Sequence, residues 1–321
     1  MRQPLVSVVT ATRNRPDRLR QALESVRMQS LEEFEAIVID DGSTADVLAE
    51  YDRMWPSFDS RFQLVRASPP GCPGSGPGVS RNRGLEIARG EFVAFLDHDD
   101  FYLQPSHLSV GVAALMEANA DYFVSGRQSG SGDAAALSWA RRDAVFEQGR
   151  RLDNQPSVHV VPLELFLSVM QGRAVHPSQA IVRRSLLAAV GGFASEIRAA
   201  FDVNLMLRLV DRTDKILYRS EITVEISMPD TESYTAAIGP LAQRLGTYQA
   251  LFHARLHCTR RDVSSSVRSR QARMLRQFAK DRLSIGHRWG AVGFMCEAIS
   301  VYPTAGAIRD ALVAIGSALR G

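Results

Sequence analysis

Over its first 130 residues the chain alternates short, nearly uncharged apolar runs with segments of helical periodicity. Residues 5–11 form an uncharged run rich in β-branched side chains, which reads as a buried strand. Pro16 suits a first helical turn, where its missing N–H costs nothing, and Leu19, Leu23 and Val26 then share one helical face. A second strand over residues 35–40 ends in Asp-Asp-Gly-Ser, and Ser43 or Thr44 can cap the helix that follows. Phe62–Arg66 reads as a third strand. Residues 69–78 (P-P-G-C-P-G-S-G-P-G) can be neither helix nor strand and are expected to form a loop. A helix over residues 80–88 and a strand over residues 91–96 come next, and that strand runs directly into Asp97-His98-Asp99-Asp100.

Apolar strands separated by helices predict an α/β fold, with a mostly parallel, Rossmann-like sheet covered by helices on both faces. In such sheets ligands bind beyond the carboxyl ends of the strands. Three strands end in polar clusters there: Thr10-Ala11-Thr12-Arg13-Asn14, Asp40-Asp41-Gly42-Ser43 and Asp97-His98-Asp99-Asp100. Turns and caps account for one such cluster. Three on one edge point to a site.

Asp97, Asp99 and Asp100 crowd negative charge at the end of a buried strand, and each raises the pKa of the others unless a cation sits among them. Mg²⁺ or Mn²⁺ would resolve the conflict, using one or two carboxylates and completing its shell with water and phosphate oxygens. In an extended segment D-x-D points two carboxylates the same way. One can take the metal and the other a ribose hydroxyl, so the implied ligand is a nucleoside diphosphate. Other nucleotide signatures fail. There is no G-x-x-x-x-G-K-[ST], and the Gly74-Ser75-Gly76-Pro77-Gly78 cluster lacks dinucleotide-fingerprint spacing and follows the third strand rather than the first. The alternating acids and terminal Glu of an EF-hand loop are also missing.

V-S-V-V-T-A-T-R-N-R, V-I-D-D-G-S and S-R-N-R-G-L-E-I-A-R-G-E-F-V-A-F-L-D-H-D-D, in this order, resemble the N-terminal half of a family 2 glycosyltransferase of GT-A fold. The resemblance is strong over residues 4–110 and looser to about residue 235, where V-R-R-S-L-L-A-A-V-G-G-F and A-F-D-V-N-L-M-L-R-L match later family segments. It implies that Thr10, Ala11, Thr12 and Arg13 surround the nucleobase. Asp40 then contacts base or ribose with support from Asp41, and Arg81 lies near the diphosphate. Asp97 and His98 belong to the nucleotide site, Asp97 and Asp99 form the D-x-D pair with Asp99 the principal metal ligand, and Asp202 is the general base. Phe201 and Asn204 stand where the family has Glu and a second Asp. An apolar ring beside Asp202 would raise its pKa by desolvation and strengthen it as a base. A helix cap is the alternative role for Asp202. Asp100 and Glu196 are the fallback bases. On position alone, His176 and Trp139 are assigned to the acceptor side, although a His before Pro is also an ordinary turn residue.

The resemblance divides the chain into a catalytic domain over residues 1–238, with a nucleotide-binding half to residue 110 and an acceptor half after it, and a helical region over residues 239–321. That last region is basic: from Pro240 onward there are 13 Lys and Arg against 4 Asp and Glu, a net +9, whereas the preceding residues carry 25 against 31, a net −6. Basic charge confined to an appendage does not suit a nucleic-acid binder, which spreads it over the folded core. Basic residues interleaved with Met274, Leu275, Phe278 and Leu283 can lie on an anionic membrane surface or pack against the catalytic domain. The last segment reads as further core or homodimer helices. Three scattered cysteines, Cys72, Cys258 and Cys296, exclude a disulfide framework and suit a cytoplasmic setting, and the apolar start is too short for a signal peptide. The expected activity is metal-assisted, inverting transfer of a sugar, most commonly from UDP, to a glycan or glycolipid hydroxyl. A nucleotidyltransferase that makes a nucleotide sugar stays open, although it would want a Gly-rich basic loop after the first strand. So does a nucleotide-sugar-binding protein without turnover, which Phe201 and Asn204 suggest.

Overall fold

The computed structural model describes residues 3–129, 144–170, 175–228 and 233–319. Strand β1 (Val6–Thr12) leads through α1 (Pro16–Arg27) to β2 (Phe34–Asp40), then through α2 (Ala45–Met54) to β3 (Phe62–Arg66). Helix α3 (Pro77–Ile87) carries the chain back across the sheet to β4 (Phe92–Phe95). Strands β1 to β4 pair in the order β3-β2-β1-β4, all parallel. Their side chains alternate between two cores. Val6 and Val8 of β1 and Phe92 and Ala94 of β4 face α1 and α2. Val9, Val93 and Phe95 face the opposite layer. Burial on both faces is why apolar side chains occupy both faces of these strands, with Thr12 and Asp40 reserved for the carboxyl ends of β1 and β2.

The remaining elements extend the sheet. They are β5 (Phe101–Tyr102), α4 (His107–Ala118), β6 (Tyr122–Ser129), β7 (Arg150–Arg151), β8 (Val158–Val161), α5 (Leu163–Val169), β9 (Ala180–Arg183), α6 (Arg184–Val190), α7 (Phe201–Val210) and β10 (Ile216–Ile226). Strand β9 inserts antiparallel between β4 and β6, β10 runs parallel to β6, and β8 and β5 pair antiparallel with β10. All the longer strands except β8 and β9 therefore run one way, the mostly parallel sheet that the hydrophobic pattern predicts.

Helices α8 (Tyr234–His257), α9 (Arg261–Ser284), α10 (Arg288–Val301) and α11 (Ala305–Leu319) follow, with α8 kinked at Gly239-Pro240, where Gly239 has φ +69°. Leu251, Ala254, Val263 and Val267 of α8 and α9 enter the same core as β1, β4 and α7. The start of the basic region is thus built into the catalytic layer.

Two local expectations are corrected. The Gly-rich loop ends earlier than its composition suggests: α3 begins at Pro77, not Ser80, after Gly76 at φ +95°, whose N–H the Asp41 carboxylate holds. Asp202 is not an N-cap. Helix α7 starts at Phe201, its N-cap is Ala200 in the left-handed region (φ +55°), and Asp202 lies in the first turn.

Candidate active site

The chain winds outward from β1 to β3 and then returns to β4 on the other side of β1, so the strand order reverses between β1 and β4. The crevice beyond their carboxyl ends is where an open α/β sheet holds its ligand. Helix α3 closes one wall. Gly84 lets it approach β1, since a Cβ there would come 2.4 Å from Val9 Cγ1.

The Asp40 and Asp41 carboxylates are engaged by the chain's own loops. Buried Asp40 accepts from the backbone N–H of Gly42 (3.3 Å) and Ser43 (3.2 Å) and from the Ser43 hydroxyl. Ser43 Oγ in turn accepts from Asn14 N (2.8 Å), and Asn14 Oδ1 from Thr44 N (2.9 Å). Ser43 therefore locks the β1 and β2 loops together, and neither it nor Thr44 caps α2 with its side chain. Asp41 reaches the Gly-rich loop and accepts from Ser75 N (2.9 Å) and Gly76 N (2.8 Å). Gly76, at φ +95°, makes that turn at no steric cost. Thr12 bonds Tyr51 (3.1 Å), and Arg13 donates to the Cys72 carbonyl (3.0 Å). Thr10 Oγ1 is buried without a hydrogen-bond partner.

Arg81 is the electrostatic centre of the crevice. It is 3% exposed, pairs with Asp97, and lies over the rings of Phe193 (5.4 Å) and Phe201 (5.2 Å). Its Nε and Nη1 are buried with no hydrogen-bond partner. Two orphan donors on a buried guanidinium are costly in a protein interior, and an anion would satisfy both. Burial works against ionisation of Asp97, but Arg81, and after it His176, outweigh that and hold its carboxyl below the usual range.

His176 belongs with these carboxylates. Its Nε2 lies 3.7 Å from Asp97 and its Nδ1 3.3 Å from Asp100, while Ser178 Oγ donates to Asp100 (2.6 Å) and accepts from Asp97 N (3.1 Å). Ser227 N completes the buried Asp100 carboxylate at 2.9 Å. Burial raises the pKa of Asp100 well above its ordinary value, and Asp97 adds to the rise. Burial also pushes His176 down to about 4, so it stands neutral near pH 7 with a lone pair to offer. One donor atom from each of Asp97, Asp100 and His176 falls within 4.8 Å of the others. That span fits ligands around one ion. Asp99, expected as the principal metal ligand, is outside this trio; its carboxyl is raised by burial, with Asp97 contributing. His98 bonds the Ala11 carbonyl through Nδ1 (3.1 Å).

Asp202 reaches the same crevice from α7. Burial raises its pKa, while Arg81 lowers it and Asp97 raises it further, so all three feel one field. Beside it lies an apolar cavity of about 20 Å³, lined in part by Phe95, Tyr122, Pro177 and Met206. The fallback base Glu196 is exposed and pairs with His253 (3.1 Å). Trp139 lies outside the described residues.

Residues 7–187, more than half the chain, match the family described as Glycosyl transferase family 2. The chain belongs to that family. It is 31% identical over 202 residues to the succinoglycan biosynthesis protein ExoW of Rhizobium meliloti, a match covering 62% of this chain and 61% of ExoW. It is 37% identical over 110 residues to EpsH of Bacillus subtilis, covering 33% of this chain and 29% of EpsH. The matches thus span less than two thirds of these relatives. Among solved structures, S. aureus TarS 1-349 in complex with UDP-GlcNAc shares the fold at TM-score 0.65 and 19% identity, over 93% of this chain and 81% of that one. The mannosyltransferase PcManGT of Pyrobaculum calidifontis, in complex with GDP-Man and Mn²⁺, does so at 0.60 and 17%, over 99% and 80%.

Sequence reasoning missed several residues that the structure brings to this crevice. Ser178 and Ser227, which fix Asp100, carry no local signal, because each acts through a contact at least 78 residues away in sequence. Phe193 was legible only as part of G-G-F. Phe201 was visible as a departure from the family pattern, but not as the platform under Arg81.

Proposed function

We propose that the chain is an inverting, metal-assisted glycosyltransferase that moves a sugar from a nucleoside-diphosphate donor, UDP-linked by preference, to a hydroxyl of a glycan or glycolipid. What supports this reading is the meeting of Asp202 with the Arg81–Asp97 pair at the carboxyl edge of β1 and β4. A desolvated carboxylate there faces a cation with donors to spare. Family membership supports the donor class, as does a fold shared with a protein solved with UDP-GlcNAc.

In this mechanism Asp202 accepts the proton of the acceptor hydroxyl. The new C–O bond forms on the face of the anomeric carbon opposite the leaving group, and the electron pair of the broken bond departs on the diphosphate. A desolvated Asp202 is a better base at neutral pH than an exposed one. Arg81 receives the growing negative charge through Nε and Nη1, held by Asp97 and the two Phe rings so that it need not reorganise. Asp97, Asp100 and His176 would hold the divalent ion, which would add charge neutralisation of the diphosphate; their mix of two carboxylates and one imidazole suits Mn²⁺ better than Mg²⁺. Phe201 lies under Arg81, and donor turnover separates this reading from a nucleotide-sugar-binding protein without activity.

The test is a transfer and donor-hydrolysis assay on Asp202→Asn. Turnover should fall by at least about 10² while titrated UDP binds as to the unaltered protein. EDTA should abolish activity and Mn²⁺ restore it. Near-normal turnover in the variant would move the base elsewhere.

A further inference from the structure

The last three helices stack as one layer around Ala279, Ala291, Met295, Ala311 and Ala314. Alanines at 307, 311, 314 and 318 form the buried face of α11, which leaves large side chains outside. Arg288 Nη1 donates to the Ser317 carbonyl at 3.4 Å, so the start of α10 lies beside the end of α11. This brings together side chains that are distant in sequence. Ile285 and Trp289, at the α9–α10 turn, are 63% and 64% exposed. Leu319 and, two helical turns earlier on the same face, Leu312 are 71% and 64% exposed. Lys280, Arg282 and Arg288 flank the turn in sequence and are also exposed.

Of the four acids from Pro240 onward, Asp262 lies at the far end of α9 and the other three are engaged. Asp281 pairs with Arg244, Asp310 with Arg276, and Glu297 accepts from Tyr248 (2.9 Å). A lone exposed Leu needs no explanation. A Trp and an Ile at a turn flanked by cations do, because burying them in a protein partner would also bury or oppose those charges. A second copy seated face to face would set Lys280, Arg282 and Arg288 against the same ions of its twin. A sheet of anionic headgroups instead answers both features, taking an indole at the apolar boundary and cations at the phosphates. No helix among the described residues is long and apolar enough to cross a membrane.

We propose that the α9–α10 turn, together with the end of α11, docks peripherally on an anionic lipid surface. Trp289 and Ile285 enter the headgroup boundary, and Lys280, Arg282 and Arg288 face the lipid phosphates. This is independent of the reaction assigned to the crevice.

Vesicle co-flotation of the full chain tests it. The protein should float with phosphatidylcholine vesicles containing about one third phosphatidylglycerol, and not with phosphatidylcholine alone. Ile285→Ser combined with Trp289→Ser should cut that partition at least about tenfold, with melting temperature and donor hydrolysis unchanged. Lys280→Glu with Arg282→Glu should do the same without touching the apolar anchors. Equal flotation of the variants, or none of the unaltered protein, would overturn the proposal. So would a dimer in light scattering that the Ser variant splits, which would give the patch to a second copy.

Discussion

Phe201 illustrates how one side chain can look like a lost function and carry another. An acidic residue there would draw Arg81 away from Asp97; the ring instead lies 5.2 Å from the guanidinium and, with Phe193, forms its floor. Desolvated cation–π contacts of this kind are worth roughly 1–2 kcal/mol. Phe201→Leu keeps the apolar volume but removes the quadrupole, so donor affinity should drop about fivefold in calorimetry, with turnover of bound donor much less affected. A larger effect on turnover than on affinity would show that the ring acts through Asp202 rather than Arg81. His176 teaches the converse. Its imidazole and the Asp97–Asp100 carboxylates come together only because β9 inserts next to β4.

Among elements, α7 is the one on which most depends. It presents Asp202 at its first turn and anchors its far side through Asn204. Arg208 Nε can only donate, so it fixes Asn204 Oδ1 toward itself (2.8 Å). Asn204 Nδ2 must then face the Ala250 carbonyl (2.9 Å) and His253 Nδ1 (3.0 Å) on α8. Arg208 goes on to the Val190 and Gly192 carbonyls and secures the G-G-F turn. Asn204→Ala strands Ala250 O and Arg208 Nε in the core and should cost about 3 kcal/mol, read as a lower urea midpoint at unchanged slope. An unshifted midpoint would mean that α8 is held by apolar packing alone. The elements themselves were largely legible: β1 to β4 and α1 lie within a residue or two of where periodicity and proline placed them. The start of α3 and the cap of α7 were not, because both depend on backbone conformations, at Gly76 and Ala200, that tertiary contacts impose.

For the molecule as a whole, acid sensitivity has an identifiable source. His107, the first residue of α4, is fully buried against β5 and β10; it stacks on Tyr102 (4.3 Å) and bonds Thr223 (2.8 Å). Burial, reinforced by Arg219, pushes its pKa down to about 3. An unfolded His takes a proton near pH 6.5, whereas this one stays neutral. Its contribution is therefore complete above that value and is lost, at up to about 1.4 kcal/mol per pH unit, as the pH falls toward 3. His107→Gln should flatten the dependence of the urea midpoint between pH 7 and pH 5. An unchanged slope would assign the sensitivity to other groups. The sequence by itself determined the layered architecture and the polar clusters that end its central strands, because strand burial, turn chemistry and charge crowding are local properties. Only the tertiary structure decided which carboxylates are engaged by loops, which join His176, and how Arg81 comes to rest on two rings with spare donors. Those outcomes depend on segments about a hundred residues apart being packed together, and no local pattern records that distance.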